Sequence, residues 1–182
     1  MLTITIPEIE AYDEEKNEFI NFKETKITLE HSLKSLAKWE AKWHKPYLSQ
    51  DKKTVEEMLD YIRCMTLTQN VNPEIYRYIP ASEFKRIESY IEDPMTATTV
   101  KEDPSAGVSG KNTVLTAEVI YYYMVSYGVW LDWEKRHLNQ LLMLLRVCSE
   151  KNKPPKQMSK SKIASEYRSL NAARRARLHS KG

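Results

Sequence analysis

The chain has 182 residues, of which 41% are apolar and 29% charged, and it carries a formal net charge of +3. That length suits one domain of ordinary size plus an appendage, with enough apolar residues to fill one core. Only four glycines occur, which excludes a Gly-rich phosphate loop or a dinucleotide fingerprint. The charge is uneven. Lys151 to Gly182 holds ten Lys or Arg against one acid, Glu166, a net +9, while the other 150 residues hold 18 basic and 24 acidic groups, a net −6. An acidic body joined to a basic arm seeks a polyanion, an acidic partner surface, or the body's own acidic face.

The start reads as a β-hairpin. Leu2, Ile4 and Ile6 alternate with Thr3 and Thr5, the period of a half-buried strand. A polar turn at Asp13 to Asn17 follows, and Phe19 to Leu29 returns as the second strand. Phe22, Ile27 and Leu29 cannot share one face by strict alternation, so a bulge or bend is expected near Lys23 to Thr25. The acids Glu8, Glu10, Asp13, Glu14, Glu15 and Glu18 make this end of the chain anionic. They form a solvated tip or a docking surface for the arm.

Helical spacing takes over at His31. Leu33, Leu36, Trp39 and Trp43 form one apolar stripe, closed by Pro46. Thr54-Val55-Glu56-Glu57 is a capping box, after which Val55, Met58, Leu59 and Ile62 mark the expected core face of a second helix ending near Met65. Glu56, Glu57 and Asp60 sit where acids complement the helix dipole. Asn72-Pro73 opens a single turn through Tyr78. Ser82 is the expected cap of a third helix, with Phe84, Ile87 and Ile91 inward and Pro94 at its end. Thr96 to Val100 and Thr113 to Leu115 read as short strands around a loop, Lys101 to Lys111. Thr116 caps a helix that is apolar nearly all round, a pattern that lies mid-fold or faces a partner. Gly128 ends that helix. A last body helix is expected from about Asp132 to Ser149. Asn152 to Pro155 reads as a linker, and Ser159 as the cap of an arm helix with a thin Ile163, Tyr167, Leu170 stripe.

No residue set marks a reaction. His31, His44, His137 and His179 lie on different elements without i,i+4 pairing, and no H-E-x-x-H occurs; His44 and His137 could meet in space. No G-x-S-x-G elbow exists. Cys64 and Cys148 lie outside any C-x-x-C pattern and read as buried, reduced thiols. The expectation is a non-enzyme with no cofactor and no metal. The first six residues are too short and too alternating for a signal h-region. Val119 to Tyr127, the longest apolar stretch, falls short of the roughly 20 residues that span a bilayer. A cytosolic protein without membrane anchor is expected.

The aromatic residues and the arm carry the binding reading. Trp39 and Trp43 share a helix face, and Trp130 and Trp133 flank another helix start. Tyr121, Tyr122 and Tyr123 point about 100° apart around one helix, so at least one must leave a one-sided core. These five residues (Trp39, Trp43 and the three tyrosines) serve core or partner contact, where Trp and Tyr are enriched. Arg174, Arg175 and Arg177 are the electrostatic docking candidates. Nucleic acid is one possible target, but the arm has no interleaved aromatics, Tyr167 standing alone.

Four stretches together resemble a known family. They are His31 to Trp43 (HSLKSLAKWEAKW) followed by Lys45-Pro46-Tyr47-Leu48; Asp60-Tyr61-Ile62-Arg63-Cys64-Met65; Arg146-Val147-Cys148 running into Pro154 to Ser159; and Ser169-Leu170-Asn171-Ala172-Ala173-Arg174-Arg175. This order is similar to the tail assembly chaperones of long-tailed (siphovirus-type) bacteriophages, and it covers most of the chain. The resemblance implies a non-enzymatic role in the bacterial host cytoplasm. Such a protein coats the long, helical tape measure protein until tail tube subunits replace it. The alternatives are a structural virion protein of the tail or connector, which would place it in the virion, and a nucleic-acid-binding accessory protein. A homo-oligomer is compatible with either protein-binding reading. The expected fold is α+β and mostly helical: one globular domain over residues 1–150, with a hairpin in 1–30 and about five helices in 31–150, then a basic helical arm over 151–182.

Overall fold

The computed structural model describes residues 1–13, 18–99, 114–152 and 160–178. The fold is α+β and mostly helical. The chain divides into two compact units, Met1–Glu150 and Lys151–Gly182. The expected loop at Lys101 to Lys111 and the cap at Ser159 lie outside the described residues.

The hairpin consists of β1 (Leu2–Ile6), β2 (Ile9–Asp13), β3 (Glu18–Phe22) and β4 (Thr25–Leu29). β1 pairs with β4 and β2 with β3, both antiparallel. The register is the same on both sides of the break: Ile6 faces Thr25 before it and Ile9 faces Phe22 after it. Two residues are skipped on each strand, so the irregularity is a symmetric bend and not a bulge, which would shift the register. Pro7 lies at the bend, where its missing N–H removes no ladder bond. On the paired face Ile4, Ile27 and Leu29 are fully buried.

The helices are α1 (Leu33–Trp43), α2 (Val55–Met65), α3 (Ala81–Glu92), α4 (Ala117–Ser126) and α5 (Leu138–Asn152), with α6 (Lys160–Leu178) in the second unit. Short 3-10 turns cover Pro73–Tyr78 and Leu131–Lys135. Ser32 caps α1 through a reciprocal box with Ser35, and Thr54 caps α2 through Glu57. His44 closes α1 in the left-handed conformation, φ 53°.

α1 and α2 lie against each other, and their polar contacts correct the expected core face of α2. Trp39 Nε1 donates to the Glu57 carbonyl at 2.9 Å, and Trp43 Nε1 donates to Asp60 Oδ2 at 2.8 Å. Lys45 reaches Glu57 at 2.6 Å, and Lys42 pairs with Asp60. Because α1 and the residues just after it present two indole N–H groups and two ammonium groups, α2 turns Glu57 and Asp60 inward. The buried residues are Glu57, Asp60, Tyr61, Ile62 and Met65. Val55, expected in the core, is 66% exposed, and Met58 and Leu59 are half-buried.

Three further boundaries differ from expectation. α3 begins at Ala81 behind Pro80, which makes no side-chain cap bond, and Ser82 lies inside the helix. Proline supplies a pre-set φ at that point instead of an acceptor. Residues 96–99 and 114–115 are irregular, not strand; Val100 and Thr113 lie outside the described residues. The last body helix does not start near Asp132. A 3-10 turn occupies Leu131–Lys135, and His137 bridges to Ser32 before α5 begins at Leu138. That long-range bridge interrupts what local periodicity reads as one helix.

α4 is positioned from α1. Thr116 occupies the N-cap but makes no side-chain bond. The buried Glu40 replaces it: Oε2 accepts from the Ala117 amide at 2.7 Å and Oε1 from the Tyr47 amide at 2.8 Å. A carboxylate at a helix N-terminus also complements the dipole. At the other end Gly128, at φ +65°, donates to the Val125 carbonyl and Val129 to the Met124 carbonyl, a Schellman closure.

Glu40→Ala removes the acceptor of two amides at once. We expect it to lower unfolding stability by about 3 kcal/mol, since each orphaned buried donor costs on the order of 1–3 kcal/mol. Urea denaturation followed by far-UV circular dichroism measures it.

Candidate interaction surface

α4 buries one side only. Ala117, Ile120 and Met124 enter the core, at the spacing of a single helix face. Tyr122 is 67% exposed, Tyr123 37% and Val125 80%. Trp130, just before the 3-10 turn that follows, is 80% exposed, and Leu131, which opens that turn, 64%. Of the two settings expected for this all-apolar helix, its outer side therefore has the exposed one. Tyr123 stacks on Tyr127 with ring centroids 6.2 Å apart and meets Tyr122 edge-on at 5.7 Å, so the outer phenols form one continuous aromatic surface. Apolar area exposed in this way, beside polar groups, is characteristic of interaction sites.

None of the three adjacent tyrosines enters the core. Tyr121 is half-buried, and its hydroxyl donates to Glu134 Oε2 at 2.8 Å, tying α4 to the turn that follows Trp130. Burial, and then the Glu134 carboxylate, raise its pKa to about 12. Trp39 belongs to the core alternative: at 1% exposure it cannot touch a partner. Trp43 is half-buried, stacks on Trp39 at 6.1 Å, and spends its N–H on Asp60. Trp130 and Leu131 are surface residues that no local pattern singled out as contacts.

In the second unit, α6 is a helix of 19 residues. Arg174, Arg175 and Arg177 are exposed, as are Ile163, Tyr167 and Leu170. Arg175 Nε lies 3.4 Å from the Asn171 carbonyl.

The histidines meet differently from expectation. His31 and His137, not His44 and His137, come together, with rings 5.1 Å apart and both buried. His137 Nε2 lies 3.0 Å from the Tyr90 carbonyl, and its Nδ1 faces the Asn139 amide at 3.3 Å. The carbonyl requires a donor and the amide an acceptor, so the ring is neutral with its proton on Nε2. Tyr61 Oη contacts His31 Nδ1 at 2.7 Å, and the Tyr90 hydroxyl donates to Glu30 Oε1 at 2.8 Å. Burial, then the neighbouring His137, lowers the His31 pKa to about 3, and burial lowers that of His137. This cluster holds its protons in fixed bonds and lies inside the body.

Other reactive groups are similarly quiet. Cys64 and Cys148 are free and half-buried rather than fully buried. Burial and Asp60 raise the Cys64 thiol, the opposite of what activates a nucleophile. A cleft of about 410 Å³ runs beside Glu30, Lys34, Lys38, Cys64 and Lys135. Among the described residues no cluster of three or more His, Cys, Asp or Glu could hold a metal ion. No described helix is long and apolar enough to cross a membrane. Compared with protein-family models, curated proteins and solved structures, the chain gives no match.

The histidine pair predicts acid sensitivity. In the unfolded chain His31 takes up a proton below about pH 6.5. In the folded chain it does so only near pH 3. The neutral pair's stability is therefore intact above pH 6.5 and is lost progressively as pH falls through that window. By pH 5.5, His31 alone accounts for about 1.4 kcal/mol. Urea midpoints at pH 7.5 and 5.5 should differ less in His31→Gln than in wild type. The His31 ring resonances should not titrate across that range.

Proposed function

We propose that the protein is a non-enzymatic tail assembly chaperone of a long-tailed bacteriophage, binding the tape measure protein in the host cytoplasm. The observation that carries this reading is the exposed aromatic face of α4, Tyr122 and Tyr123 with Val125, followed in sequence by the exposed Trp130 and Leu131. The resemblance of the residue order to that family and the exposed arginines of α6 support it.

The physics of the task matches these features. A long helical client exposes apolar seams before assembly, and aromatic side chains cover such seams at low conformational cost. Arginines on an exposed helix steer an acidic client and raise the encounter rate more than they raise affinity. Coverage must end when tube subunits arrive, which favours an interface of moderate size over a tight one.

Co-expression with the tape measure protein of the same phage tests the reading. The two should co-elute, and the client should be more soluble than when expressed alone. Trp130→Ala with Tyr122→Ala, and separately the triple Arg174→Ala, Arg175→Ala, Arg177→Ala, should each weaken capture by about tenfold. Neither set touches the core, so the melting temperature of the body should stay within about 2 °C of wild type. Absence of co-elution by the wild-type chain would remove the proposal. Equal loss of capture and melting temperature would remove the separate role given to the arm.

A further inference from the structure

α6 carries basic residues on more than one side, and two of its arginines continue an apolar line. Ile163, Tyr167, Leu170, Arg174 and Arg177 follow one another at spacings of four, three, four and three residues. That is the spacing of the core positions of a heptad repeat. All five lie within one helix, Lys160–Leu178, and Ile163, Tyr167 and Leu170 are 38%, 63% and 52% exposed. Of the flanking positions, Ala164, Asn171 and Ala173 are uncharged, and Glu166 beside the apolar half is acidic. Arg168 and Arg175 fall on the side away from this line. The seam thus has an apolar half followed by a half in which both core positions are guanidinium groups.

From this arrangement we infer that α6 is a docking seam for a partner helix with apolar core positions opposite Ile163, Tyr167 and Leu170 and carboxylates opposite Arg174 and Arg177. This deepens the proposed function and rests on its reading of the arm as a partner-capturing element. The choice of occupant follows from charge. A second copy is a poor one. Parallel pairing sets Arg174 against Arg174 and Arg177 against Arg177. Antiparallel pairing that brings Tyr167 opposite Leu170 sets Arg174 against Ile163. Either way a cation is desolvated without a counter-charge. Glutamate or aspartate at the facing positions forms charge-assisted, bidentate bonds with the same arginines and rejects other partners. Duplex nucleic acid supplies anions but nothing to cover the apolar half of the seam. An anionic membrane covers apolar residues, but it favours cations on the opposite side of a helix from them; here Arg174 and Arg177 continue the apolar line.

The test uses the full-length protein and a labelled synthetic peptide of four heptads, Leu at its core positions except for two consecutive Glu. A second peptide carries Lys at those two positions. Fluorescence anisotropy should show wild type preferring the Glu peptide by about tenfold or more. Arg174→Glu with Arg177→Glu should reverse the preference. Arg168→Glu with Arg175→Glu removes the same charge off the seam and should change affinity by less than about threefold, with helicity of both variants checked by circular dichroism. Equal losses in the two double variants would show general electrostatic attraction and overturn the seam. Tighter wild-type binding to a 20-base-pair duplex or to phosphatidylserine vesicles than to the Glu peptide would also overturn it. If tape measure capture fails while the charge reversal holds, the tail reading falls and the seam stands.

Discussion

Four consecutive residues at the end of the hairpin, Leu29 to Ser32, are bonded to almost every later layer of the body. Leu29 bridges to Thr66, and the Glu30 amide donates to the Met65 carbonyl at 2.9 Å. The Glu30 carboxylate accepts from Tyr90 on α3, and His31 meets Tyr61 on α2. The His31 carbonyl accepts from the Leu138 amide at 2.7 Å, which fixes the start of α5. Glu30, His31, Ser32 and His137 are all buried. A buried polar network of this kind is stabilising only when every member is satisfied, and a partly satisfied one costs more than an apolar core. That requirement gives the hairpin, α2, α3 and α5 one mutual arrangement and keeps both imidazoles neutral.

With that junction fixed, α1 can position α4 through a single side chain. Glu40 reaches the α4 N-terminus and the Tyr47 amide, while the Schellman closure at Gly128 sets the chain's exit toward Trp130. Both ends of α4 are thus held, and its rotation about its own axis follows from Ile120 and Met124 facing the core. The outward tyrosines are a consequence. The aromatic surface stands on a rigid support, so little ordering entropy is lost when a partner covers it.

Features with a local cause were legible from the sequence. The Thr54–Glu57 box, the stripe from Leu33 to Trp39 and the Gly128 stop each depend on neighbours within a few residues, and the hairpin joins strands consecutive along the chain. Most of the failures have a distant cause; the start of α3, set by the adjacent Pro80, is the local one. Val55 faces outward because Lys45 and the Trp43 indole draw the Glu57 and Asp60 carboxylates inward. α5 starts late because His137 bridges to Ser32. The His31–His137 pair joins residues from opposite ends of the body, and nothing near either one marks it. For the surface, the sequence showed that at least one of Tyr121, Tyr122 and Tyr123 had to leave the core, but not which. Trp130 was visible as an aromatic residue, yet its 80% exposure depends on the 3-10 turn that separates it from α5.

In the proposed function the molecule is a temporary cover: a body with an aromatic face, and a basic helix that selects the client. Quantitative mass spectrometry of purified assembling tails and of finished particles distinguishes a cover from a component. The account predicts peptides of this chain in tape-measure-containing assembly intermediates and none above background in completed particles. A fixed, stoichiometric copy number in completed particles would contradict it.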